Sequence, residues 1–339
     1  MRKVLLASTA LFALGSVSAM AADITISGGF ELGYDSESDQ SDGTRISSET
    51  DWNVKFSNTT DTGITTSLNY GFDESGGVDD QNYSISGDFG TIAVANSADG
   101  DDGAVDGMDI EADTVAENSV WASHTSAYNS DYAGGWSASY GTGDRLSYTL
   151  PTVMDGLTVA VTHLNETGAE SFAYGAKYAM GPVTVAALKM QGHKNAVTAV
   201  THGDGVAGRA AAAHSEIEGS HFGVSLSAGG ATIEMAQNKY EESNGTAGDM
   251  TEGKGTRMGV SYPLGDITLG YESVKAEWDN AAGTAALDTY KYDSVGAAYT
   301  IATGITAKIA VTEGEIQNNT TETNMDTYNT TRLSVSVAF

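Results

Sequence analysis

The chain ends in TTRLSVSVAF (residues 330–339), where Leu333, Val335, Val337 and Phe339 are apolar and Arg332, Ser334, Ser336 and Ala338 between them are polar or small. A period of two marks a strand with one apolar face. A terminus normally frays in water. A strand running to the last residue must therefore be paired along its edge, and something must bury Phe339.

The same period fills the rest of the chain. ITISGGFELGY (24–34) puts Ile24, Ile26, Phe30, Leu32 and Tyr34 on one face, and TDWNVKF (50–56) alternates Trp52, Val54 and Phe56 with Asp51, Asn53 and Lys55. Candidate strands fall at 24–34, 45–57, 64–72, 81–88, 91–97, 144–150, 157–164, 170–179, 183–190, 216–227, 231–240, 256–262, 266–276, 287–300, 305–313 and 327–339. The apolar phase changes between Tyr292 and Val295, which predicts a bulge there. No amphipathic helix interrupts the series.

The connections alternate in length. Short ones, rich in turn residues, lie at 58–63, 87–91, 151–156, 179–182, 228–231, 263–266 and 302–304; the others are long and polar, and the longest, the third of these, runs from 98 to 143. Short turns at one end and long loops at the other describe an up-and-down meander of the membrane-barrel kind. Sixteen strands enclose too much volume for side chains to fill. The polar face of Thr, Ser, Asn, Gly and charge suits a wet interior, so the apolar face points outward into lipid. The fold expected is all-β: a 16-stranded antiparallel transmembrane β-barrel with short periplasmic turns and long extracellular loops. Its last strand closes on its first, with Leu333, Val335, Val337 and Phe339 as the closure signal and Phe339 in the aromatic band at the membrane boundary.

Composition agrees. MRKVLLASTALFALGSVSAMA (1–21) has two basic residues, a short apolar run and a small-x-small triplet, and reads as a secretory signal peptide, leaving 22–339 as the barrel. Cysteine is absent, so there is no disulfide or thiolate metal site. The formal charge of −29 argues against nucleic acid as a partner, because phosphate binding needs basic patches. It argues equally against docking on an anionic lipid surface. The six histidines show no HExxH spacing, His193, His202 and His214 read as one surface loop, and there is no GxSxG elbow or phosphate-cradling loop. The chain reads as no enzyme.

At this point it resembles the general porins of Gram-negative bacteria, and in DRLSYTLPTVMDGLTVAVTHL (144–164) the Rhodobacter-type alphaproteobacterial branch. A strand with Tyr148 ends at Pro151, and Gly156-Leu157 opens the next, as at that family's third periplasmic turn. The resemblance implies a homotrimer of water-filled outer-membrane channels, with the third loop folded inward. It also implies a constriction that sets acidic loop residues against a basic wall. The loop lacks the family's PEFGG-like tip.

The acidic candidates on the loop are Asp99, Asp101, Asp102, Asp106, Asp109, Glu111, Asp113 and Glu117, with Asp131 further on. Strand parity nominates Arg45, Lys55, Arg145, Lys177, Arg257, Lys308 and Arg332 for the wall, the first three favoured by the resemblance. Charges are costly on the lipid face and cheap in the lumen. DGDDGAVDG (99–107) offers carboxylates of Asp99, Asp101, Asp102 and Asp106 to Ca²⁺, without EF-hand spacing. Acidic outer loops could share Ca²⁺ or Mg²⁺ with lipopolysaccharide phosphates. The function expected is passive diffusion of small hydrophilic solutes and ions with weak cation preference. A solute-specific channel, a barrel hydrolase, a surface adhesin or anchor, and a soluble secreted β-protein are the alternatives.

Overall fold

The computed structural model describes residues 23–37, 44–73, 77–97, 103–112, 114–116, 144–166, 169–194, 215–243, 250–279, 287–317 and 325–339. They form sixteen strands: β1 (Asp23–Glu37), β2 (Thr44–Thr59), β3 (Thr65–Phe72), β4 (Val78–Gly87), β5 (Gly90–Ser97), β6 (Arg145–Thr149), β7 (Leu157–Glu166), β8 (Ala169–Met180), β9 (Val183–Lys194), β10 (Ser215–Ala228), β11 (Ala231–Ser243), β12 (Met250–Leu264), β13 (Ile267–Asp279), β14 (Leu287–Ala302), β15 (Ile305–Gln317) and β16 (Met325–Ala338). Each pairs antiparallel with its chain neighbours, and β16 pairs with β1 to close the barrel. No helix among the described residues is long and apolar enough to cross a membrane; this chain crosses with strands. The expected signal peptide lies outside the described residues.

Closure answers the question posed by the C-terminus. Phe30 pairs with Val337, and the ladder runs to the last residue. The Gly28 N–H donates to the Phe339 carbonyl at 3.0 Å, and the Phe339 N–H to the Gly28 carbonyl at 2.9 Å. The Phe339 ring is 70 % exposed on the outer surface. It shares that surface with Ile24, Ile26, Leu32, Tyr34, Leu333 and Val335, while Gly33, Asp35, Arg332 and Ser334 between them are turned inward and buried. Exposed apolar side chains in register around a closed sheet are a lipid-facing surface. Trp52 and Phe72 stack across β2 and β3, centroids 4.1 Å apart.

All seven short turns carry a glycine with positive φ. At Gly304 the need is plain: φ is +77° and a Cβ would stand 2.5 Å from the Ala338 carbonyl, whose own N–H donates to Gly304 at 2.7 Å.

Two expectations are corrected. β13 and β14 pair without interruption past residues 292–295, and the irregularity of β14 lies between Thr300 and Ala302 instead. The apparent phase change arises because Tyr290 and Tyr292 are buried inside the barrel, whereas Val295 and Tyr299 face out. β12 also begins at Met250, six residues before the apolar alternation, since its first turn of ladder carries outward Glu252 and Lys254 rather than apolar groups.

Candidate functional site: the channel lumen

Residues 103–112 and 114–116, from the third long loop, lie inside the barrel along its wall. The Ala104 N–H donates to Ser147 Oγ on β6 at 3.0 Å, and the Val105 N–H to Thr162 Oγ1 on β7 at 3.3 Å. A single 3₁₀ turn, Asp106–Met108, follows. Lys177 Nζ on β8 donates to the Asp109 carbonyl at 3.0 Å, and the Ile110 N–H to His221 Nε2 on β10 at 3.1 Å. The Ser294 hydroxyl on β14 donates to the Ala116 carbonyl at 2.5 Å.

The segment passes from β6 to β14, half of the way round the sixteen-stranded barrel. Ala112 within it is buried with φ at +62°, a left-handed conformation costly for a residue with a Cβ.

The wall is shaped to receive this segment. Ala173, Ala186, Ala236 and Ala310 face inward and are buried. A Cβ on Gly223 would fall 2.6 Å from Ile110, one on Gly270 2.7 Å from Val115, and one on Gly296 2.5 Å from the Val115 carbonyl; on Gly259 it would strike the Ala112 carbonyl. Glycine inside a strand marks close backbone approach. Near the start of the segment, Val105 and Met108 pack with Leu188, Met190, Ile217 and Tyr240 into a buried apolar cluster. Near its far end Glu272 is fully buried, paired with Arg257 Nη2 at 3.0 Å and accepting from the Tyr292 hydroxyl.

The wall opposite differs. On β2, Arg45, Glu49, Asp51 and Lys55 share the inward face and are all exposed. Arg45 reaches Asp35 at 3.7 Å, and Ser47 donates to the same carboxylate at 3.2 Å. Arg332 on β16 bridges to Glu31 and stands 3.8 Å from Asp35, while Ser336 donates to Glu31 at 2.7 Å. This network spans the closing strands.

The seven basic candidates therefore do not make one stripe. All face inward. Arg145 is 0 % exposed and borders no open water; Arg257 and Arg332 are taken up by wall carboxylates, and Lys177 holds the loop. Arg45 and Lys55 lie ten residues apart on one strand, about 33 Å at 3.3 Å per residue, so they cannot border one constriction. Lys308 is half-buried on β15. Of the acidic candidates, Glu111 is exposed, Asp109 half-buried and Asp106 buried. Asp99, Asp101, Asp102, Asp113, Glu117 and Asp131 lie outside the described residues, and with them three of the four proposed Ca²⁺ ligands. No metal-binding group of three His, Asp or Glu occurs among the described residues. His193 belongs to β9, not to a loop, and faces Glu170 across the outer surface at 4.0 Å. His202 and His214 are outside the described residues.

Sequence reasoning missed Glu31, Asp35, Glu272 and His221. The available signal was glycine and alanine at inward positions on neighbouring strands.

The sequence model of the Gram-negative porin family matches residues 7–321. No curated protein matches the sequence. The fold is similar to solved porins at low identity. A trimeric form of OmpT from Vibrio cholerae is 12 % identical with a TM-score of 0.67, covering 94 % of this chain and 100 % of that one. An anion-selective porin from Comamonas acidovorans is 11 % identical, with the same TM-score and coverage. A Rhodopseudomonas blastica porin triple mutant is 16 % identical with a TM-score of 0.60, again covering 94 % and 100 %. With the closed barrel and its lipid-facing surface, the family match places the chain among the Gram-negative porins, non-enzymatic channels of the outer membrane.

Proposed function

We propose that this porin passes small hydrophilic solutes and ions by passive diffusion, with weak cation preference. The observation that carries this reading is the exposed inward face of β2, where Arg45, Glu49, Asp51 and Lys55 stand in water across from a wall lined by the loop. Selectivity in such a pore follows its lining charges. Exposed Glu49, Asp51 and Glu111 outnumber exposed Arg45 and Lys55, and the whole chain carries −29. In a planar bilayer under a salt gradient, the reversal potential should have the sign of cation preference; the opposite sign would refute it.

The outer surface supports a homotrimer. Among the described residues, the outward positions of β16, β1, β2, β3 and β5 hold no charged side chain. On β8–β15 the outward face carries pairs toward the long-loop end: Lys189–Glu218 at 3.1 Å, Lys275–Glu277 at 2.5 Å and Lys291–Glu315 at 2.6 Å. Charges there stand above the hydrocarbon, beside lipid headgroups and lipopolysaccharide. The uncharged sector is the one suited to a neighbouring subunit, and OmpT is described in a trimer form.

One feature favours a second reading, a solute-specific channel. Lys177, Thr184, Ser225 and Glu234 on the wall and Asp109–Ala112 on the loop border a cavity of about 460 Å³. Saturable block of conductance by a dipolar solute, lost in Glu234→Gln, would support it; linear flux for every solute would exclude it.

A further inference from the structure

The Ile110 N–H can only donate, so the His221 Nε2 it meets at 3.1 Å must present a lone pair. The proton of the neutral ring is then on Nδ1, where it donates to Asn238 Oδ1 at 2.7 Å. Both partners are satisfied only by this tautomer. Adding a proton to Nε2 would set one donor against another at a buried contact. The contact lies midway along the luminal segment, beside Gly223, where a Cβ would strike Ile110. Among the described residues, the charged groups near it are Lys177 on β8 and, on the segment itself, Asp109 and Glu111 to either side of Ile110. From β9 the ring meets Leu188 in register, from β11 Asn238, and Arg257 on β12 is turned to Glu272.

We propose that His221 is a positioning residue for the pore: neutral, it latches the luminal segment to the wall; protonated, it releases that segment and makes passage pH-dependent. Histidine is the side chain suited to such a role near physiological acidity. The effect on passage rests on the channel reading above; the latch itself does not.

The chain has no cysteine, and Gly107 is exposed with nothing within 4 Å of a Cβ, so a spin label on Gly107→Cys reports the segment directly. In bilayers, acidification from about pH 8 to about pH 4 should raise the mobile fraction roughly tenfold, the equivalent of one lost hydrogen bond. His221→Gln keeps an acceptor for Ile110 without a titrating ring and should flatten the profile. Asn238→Asp puts an anion beside Nδ1 and should move the transition up by about one pH unit. A flat wild-type profile, a His221→Gln profile matching the wild type, or an unmoved midpoint in Asn238→Asp would each overturn the latch. Conductance of the same samples separates the two readings. A responding label without conductance sinks the channel and keeps the latch; steady conductance with an unresponsive label does the reverse.

Discussion

The inner wall under residues 103–112 and 114–116 and the inner wall of β2 are built on the same alternation and end in different environments. Beneath the loop the inward positions include Ala173, Leu188, Met190, Ile217, Ala236 and Val274, all buried, with Arg257 and its buried partner Glu272 and the half-buried Lys177 and Glu234 among them. On β2 they are Arg45, Glu49, Asp51 and Lys55, all exposed. The first region is a protein core that happens to lie inside a barrel; the second is the lining of a water channel. One segment, passing from β6 to β14 across half of the barrel, makes the difference. It covers much of one inner wall, and leaves exposed the charges of β2 opposite, together with Glu111 on the segment itself.

The comparison can be broken most sharply at Glu272. Glu272→Leu removes the buried carboxylate that pairs with Arg257 and accepts from Tyr292, and the folded barrel should lose about 3–5 kcal/mol in a denaturant titration. Removing the exposed Arg45 by Arg45→Met should cost less than about 1 kcal/mol in the same titration. Equal losses would erase the distinction between the two regions.

On the outer surface the contrast is between sectors. Leu32→Lys places a charge in the uncharged sector and should cost about 2–4 kcal/mol and disperse the proposed homotrimer on native gels. Thr256→Lys, on the charged side near Lys254, should stay within about 0.5 kcal/mol and leave the oligomer intact.

Lys177→Met sharpens the role of the loop. It removes one charge-assisted bond to the Asp109 carbonyl, about 1.5–3 kcal/mol of anchoring, and should raise open-channel current noise. The smallest effect on the fold belongs to the open wall. Glu49→Gln with Asp51→Asn should leave stability within about 0.5 kcal/mol. It should lower the cation-to-anion permeability ratio about twofold, read from the reversal potential.

The barrel itself was legible because its signals are local. Period-two alternation gave the strands, and a positive-φ glycine marks each short turn. The C-terminal Phe339, paired to Gly28, follows from the same pattern. The interior was less legible because alternation reports polarity and not neighbours. Tyr290 and Tyr292 looked like a bulge, since alternation alone does not show that these rings are buried inside the barrel, with the Tyr292 hydroxyl on Glu272. Gly223, Gly259, Gly270 and Gly296 passed for the small residues of a wet lumen, although they are the seat of the segment. Arg145, Arg257 and Arg332 shared the parity of the pore wall, but parity cannot say which cations face water and which are covered or paired.

The central claim is that one inner wall is covered and the other is open. Because the chain has no cysteine, single cysteines at Glu49 and Asp51 on β2, and at Ala173, Ala236 and Val274 beneath the loop, can be challenged with a charged, water-soluble thiol reagent during single-channel recording. Modification at 49 and 51 should be rapid, with a stepwise change in current. At 173, 236 and 274 modification should be slower by about a thousandfold, as expected when access requires local opening costing about 4 kcal/mol. Comparable rates at all five positions would contradict the central claim.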